Sequence, residues 1–129
     1  MEKKDAKAIN IILIDDEADF STTMAFWFKG KGYNVEAFVN IEEAIGKIKT
    51  APPDAVFVDM IMPESDGISV IKRIRQFNEK IPIIIMSSYI EDRRIDKTVN
   101  LYGTSGAFYK GDDFMKALKL LELAIKPGN

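Results

Sequence analysis

The chain has no cysteine and no histidine. The first absence removes disulfide scaffolds, zinc–thiolate and iron–sulfur sites, and any cysteine nucleophile. The second removes serine–histidine triads, imidazole metal ligands and a phosphohistidine role for this chain. Excess charge of one sign is also missing. Eighteen Lys and Arg against 20 Asp and Glu leave a net charge of −2, so no global field draws in nucleic acid. No apolar run approaches the length of a membrane span, and the opening MEKKDAKAIN lacks the apolar stretch of a signal peptide. The expected setting is the cytoplasm, with no membrane partner. The sequence shows no repeat, no low-complexity tract and no composition shift that marks a linker. What is present is an ordinary globular balance, 47% hydrophobic and 29% charged over 129 residues. One domain over residues 1–129 is expected, burying roughly two-thirds of its unfolded surface without a covalent staple.

Short apolar runs alternate with longer amphipathic stretches. The runs are Ile9–Ile14, Tyr33–Val39, Ala55–Val58, Ile81–Met86 and Ala107–Tyr109. Between and after them, apolar residues recur at helical spacing. Phe20, Met24 and Trp27 form the first stripe; Ile41, Ala44, Ile45 and Ile48 the second; Val70, Ile71, Ile74 and Phe77 the third. Ile95, Val99 and Tyr102 make a weaker fourth, and Phe114, Ala117, Leu118, Leu121, Ala124 and Ile125 the last. Gly30 and Gly32 are stop signals for the first helix, Asp66 is a cap for the third and Asp112 for the last. Five strands alternating with five helices predict an α/β fold with a parallel sheet covered on both faces. IILI, AVFV and IIIM are continuously apolar, as interior parallel strands should be. The second run alternates and the fifth is short, which suits edges. The expectation is a flavodoxin-like (βα)5 doubly wound sandwich with strand order 2-1-3-4-5, its ligand at the carboxyl ends of the strands.

The residues at those ends carry the chemistry. Asp15, Asp16 and Glu17 follow IILI, Asp59 follows AVFV, Ser87 and Ser88 follow IIIM, and Lys110 follows the fifth run. Two carboxylates about 4 Å apart repel by about 4 kcal/mol at an effective dielectric near 20. A cluster of them needs a cation or must take up a proton. Lys110 supplies one charge. A divalent ion would supply two more, and oxygen-only donors favour Mg²⁺ over zinc, with the carbonyl of Ile61 a further candidate ligand. A carboxylate held beside Mg²⁺ and lysine is a phosphoryl acceptor in waiting, because positioning and charge neutralisation do most of the work of that transfer. A hydroxyl at Ser87 would hydrogen-bond the new phosphate. Singly, each residue has a plainer explanation. An acidic turn suits a helix start, Asp59 a turn, the serines a helix cap and Lys110 a solvated surface. The combination is far more specific than its parts.

IILIDDEAD, VDMIMPESDG, IIIMSSY and AFYKG, in that order and spacing, resemble the receiver domain of two-component response regulators over essentially the whole chain. The resemblance implies that Asp59 accepts a phosphoryl group from the phosphohistidine of a histidine kinase or phosphotransfer protein. It implies Asp15 and Asp16 as the acidic pair for Mg²⁺, with Asp16 the direct ligand, Ser87 as the hydroxyl that meets the phosphoryl group, and Lys110 as its counter-ion. It further implies a partner-binding face made by the fourth helix, the fifth strand and the fifth helix. Output would pass to a downstream protein or a fused domain, without direct contact to nucleic acid; a homodimer stays open.

Three positions depart from the family. Gly111 stands where proline usually follows the lysine, so the peptide is expected trans and the reach of Lys110 is altered. Ala107 stands where an aromatic switch residue is usual; Tyr109, with Tyr102, is expected to take part of that role. Ile61 and Tyr89, bulky and without a carboxylate or amide, flank the expected path of the hydrolytic water, which predicts a slowly hydrolysed aspartyl phosphate. Other functions remain open at this stage. They are a small phosphohydrolase using Asp59 as nucleophile, though no second carboxylate follows it closely, a flavin-phosphate module, which DDEAD disfavours, and a degenerate receiver used only for protein interaction.

Overall fold

The computed structural model describes residues 8–62, 66–88 and 101–125. Five strands are β1 (Asn10–Ile14), β2 (Asn34–Phe38), β3 (Ala55–Asp59), β4 (Ile83–Ser87) and β5 (Ala107–Tyr109). Four helices are described in full: α1 (Ala18–Gly30), α2 (Ile41–Thr50), α3 (Gly67–Phe77) and α4 (Phe114–Ala124). The strands form one parallel sheet in the order β2-β1-β3-β4-β5, as the run compositions predict. β1, β3 and β4 are buried almost throughout, whereas β2 and β5 lie at the edges with mixed exposure. The predicted fourth helix falls outside the described residues, save that Leu101 and Tyr102 are helical; the fifth apolar stripe is α4.

Strand alternation divides the core in two. Ile12, Ile14, Val56, Val58, Ile83 and Ile85 face α2 and α3, packing on Ile45, Ile48, Ile71 and Ile74. Ile11, Leu13, Phe57, Ile84, Met86 and Phe108 face α1 and α4, packing on Met24, Phe28, Leu118 and Leu121. Three helices begin at a capping side chain: Asn40 accepts from the Glu43 amide, Asp66 from Ser69 and Asp113 from Met115. The last cap is therefore Asp113, one residue beyond the expected Asp112, which instead pairs with Lys116 at 3.5 Å. The start of α1 differs: Glu17 occupies the cap position but makes no capping hydrogen bond with its side chain.

α3 is pressed against the end of β3. The Gly67 amide donates to the Met60 carbonyl at 2.8 Å, and a Cβ at Gly67 would lie 2.4 Å from the Asp59 carbonyl oxygen. Only glycine admits this approach, so Gly67 seats the start of α3 directly against the backbone of Asp59. Pro63 of that turn lies outside the described residues.

Candidate functional site

Asp59 and Ser87 are the last residues of β3 and β4, and Asp15 and Lys110 are the first residues beyond β1 and β5. The ladder continues past the strands: the Asp15 amide donates to the Phe38 carbonyl at 3.1 Å and the Lys110 amide to the Ser87 carbonyl at 2.8 Å. Alternation therefore still governs side-chain direction at the rim. Asp15 continues the Ile11–Leu13 face, Asp59 the Ala55–Phe57 face and Lys110 the Phe108 face. All three belong to the α1/α4 side, and they converge. Ser87 and Tyr109 continue the opposite side, with Ile85 and Ala107.

The convergence is tight and dry. Asp15 is 0%, Asp59 3% and Ser87 2% exposed, and the Lys110 side chain is 6% exposed. Lys110 Nζ lies 2.9 Å from Asp15 Oδ2 and 3.6 Å from Asp59 Oδ2, and it hydrogen-bonds Glu17 Oε1. The ammonium also lies 4.6 Å from the centroid of the Phe20 ring. Asp15 Oδ1 accepts from the Glu17 amide at 2.8 Å, and Asp59 Oδ1 from the Ile61 amide at 3.4 Å. Burial pushes the Asp59 carboxyl up to about 7; the neighbouring Asp15 charge adds to the rise, and Lys110 opposes it. For Lys110 burial works downward, but the close carboxylates of Asp15 and Glu17 and the charge of Asp59 outweigh it, holding the ammonium above its ordinary range.

Oxygens of Asp15, Glu17 and Asp59 lie within 4.8 Å of one another. Asp16 is exposed and stands outside this group. Glu17, to which the sequence assigned no separate part, completes the carboxylate triad. A divalent cation suits what is there. The donors are all oxygen, three carboxylates face one ammonium, and Asp15 Oδ2 is buried without a well-directed hydrogen bond even though Lys110 is beside it. Hard oxygen ligands of this kind favour Mg²⁺.

The Lys110–Gly111 peptide is trans, as expected, and the lysine nonetheless reaches the carboxylates. The Tyr109 ring lies over Gly111, where a Cβ would meet it at 2.6 Å, and Tyr102 and Ala107 each pack against the aliphatic core. The Ile61 side chain is exposed; Tyr89 lies outside the described residues. A groove of 320 Å³ lined by Val35, Glu36, Lys47 and Pro52 opens near the amino ends of β1 and β2, at the opposite end of the sheet from this chemistry.

Fold and rim together define a doubly wound α/β protein with a buried, cation-seeking carboxylate pocket at the strand ends. A family model described as the response regulator receiver domain matches residues 11–120, and the chain belongs to that family. The alkaline phosphatase synthesis transcriptional regulatory protein PhoP of Bacillus subtilis is 33% identical over 91 residues, 70% of this chain and 37% of that protein. The transcriptional regulatory protein TrcR of Mycobacterium tuberculosis is 28% identical over 127 residues, 98% of this chain and 46% of that protein. The chain thus spans less than half the length of these curated relatives. Among solved structures, a two-component response regulator from Clostridium difficile superposes with a TM-score of 0.83 at 26% identity, covering 94% of this chain and 98% of that one. Receiver domains are phosphoacceptor switches of two-component systems that bind Mg²⁺ at an acidic site. No helix among the described residues is long and apolar enough to cross a membrane.

Proposed function

We propose that residues 1–129 are a single receiver domain in which Asp59 is the phosphoacceptor. The observation that carries this reading is the seat of Asp59: buried, beside Asp15, with the Lys110 ammonium 3.6 Å from its Oδ2. An Asp59 oxygen attacks the phosphorus of a phosphohistidine presented by a histidine kinase or phosphotransfer protein. The new O–P bond forms as the N–P bond breaks, and the electron pair leaves with the imidazole. Asp15, Asp59 and the Ile61 carbonyl would hold Mg²⁺, with the exposed Asp16 carboxylate turning in from the rim to join them; the ion would supply positive charge against the phosphoryl oxygens. Lys110 neutralises the product, and the Ser87 hydroxyl hydrogen-bonds it.

The chain turns over no external metabolite in this reading. Its output is a changed face of fourth helix, fifth strand and last helix, read by a downstream protein or a fused domain. The transcriptional regulators among its relatives make a fused output domain the natural case. The bulk of Ile61 and Tyr89 beside the acceptor makes hydrolysis slow. The test is mass spectrometry after incubation with acetyl phosphate and Mg²⁺. The wild type is expected to gain one phosphoryl group and Asp59→Asn none. An equal gain by the variant, or steady turnover of a generic phosphomonoester, overturns the reading.

A further inference from the structure

We propose that Glu17 is a latch on Lys110. It holds the ammonium on the Asp15 side, and it must release the lysine when an anion takes its place beside Asp59. The inference rests on the reading of Asp59 as acceptor and assigns Glu17 a positioning part in it.

Four observations carry it. Glu17 sits where Asn40, Asp66 and Asp113 cap the other helices, yet its carboxylate forgoes that hydrogen bond and engages Lys110 instead. Its root is fixed, because its amide donates to Asp15 Oδ1 at 2.8 Å. One turn further along α1, the Phe20 ring gives the same ammonium a second resting surface and is itself braced edge-on against Phe114 at 5.8 Å. Finally, the lysine is parked off the acceptor: 2.9 Å from Asp15 but 3.6 Å from Asp59, beyond hydrogen-bond length. An incoming phosphoryl group must therefore win Lys110 from Glu17. The Glu17 side chain is 57% exposed, so water screens its grip and the pair breaks at modest cost.

Glu17 could act instead as a further ligand to the cation, since its oxygen lies within the carboxylate triad. The two roles answer oppositely to Glu17→Gln, which keeps the shape and removes the charge. The experiment titrates wild type and variant with beryllofluoride in saturating Mg²⁺, and separately with Mg²⁺ alone, followed by amide NMR. The variant is expected to load at about two- to fivefold lower beryllofluoride, with no rise in the Mg²⁺ concentration at half-saturation. Equal beryllofluoride midpoints, or a weakened Mg²⁺ midpoint, overturn the latch while leaving the acceptor reading intact. Absence of uptake in the wild type overturns both.

Discussion

The two faces of the sheet are made of different material. Under α2 and α3 the packing is aliphatic, Ile and Val against Ile. Under α1 and α4 it is aromatic: Phe28 meets Phe57 at 5.8 Å and Trp27 at 5.1 Å, and Phe114 joins Phe108, Phe20 and Trp27 within 6.1 Å. The charges of the rim stand at the end of the aromatic face, and Ser87 enters from the aliphatic one. Rings are large and have few rotamers, so they hold a fixed shape; branched aliphatic side chains exchange for one another with less loss. The arrangement puts the costly buried charges on the stiffer support. It leaves on the softer side a hydroxyl that needs only to be within reach.

Removing a ring is expected to have the largest effect. Phe57 is fully buried on β3, two residues before Asp59 on the same face. Phe57→Ala is expected to cost about 3–5 kcal/mol in urea denaturation, and to depress phosphoryl uptake even under conditions where the variant stays folded. Full uptake by a folded variant would show that the aromatic layer does not position Asp59.

A smaller effect, of opposite sign, is expected at the charges themselves. Asp59 is raised to about 7 in the folded chain. Between about pH 4 and about pH 7 the folded state thus binds more protons than the unfolded one, and stability falls as pH rises through that window. Asp59→Asn removes the buried charge. In EDTA at pH 8 it is expected to be more stable than wild type by about 1–2 kcal/mol, less than the full shift implies because the carboxamide is itself a polar group that must be buried there. The gap narrows to a small remainder near pH 4, where the wild-type carboxyl is protonated in the folded state and about half protonated in the unfolded one. Denaturation curves at the two pH values check this. A variant less stable at pH 8 would mean that Lys110 already compensates the acidic pair.

Much of this was legible in the sequence, because it follows from periodicity. Continuous apolar runs marked the interior strands, alternation marked β2 as an edge, and the residues ending those runs gave Asp15, Asp59, Ser87 and Lys110. What was not legible depends on directions that a one-dimensional pattern does not contain. Asp16 and Glu17 are adjacent acids beyond β1; only the entry geometry of α1 turns Glu17 onto a lysine 93 positions away and leaves Asp16 in solvent. Phe20 read as one more member of an apolar stripe, since core packing and a cation's resting face ask for the same residue type. No signal in the sequence separated Glu17 from its neighbours: Asp15 and Asp16 are themselves residues that cap helices well, so the acids there read as an ordinary helix start. The shift from Asp112 to Asp113 is of another kind, a one-residue boundary that tandem acids do not resolve.

The mildest test concerns the aliphatic face. Ile74 lies on α3, fully buried against the sheet, and Ile74→Val removes one methyl group at an expected cost of about 0.5–1.5 kcal/mol. Phosphoryl uptake should be unchanged, because α3 meets the site through the backbone of Gly67 and Asp59 and not through its apolar side chains. Stability and uptake measured on the same samples separate the two effects. If uptake falls with this substitution, the loosened helix has moved the Asp59 carbonyl through Gly67, and the two faces act on the pocket as one unit.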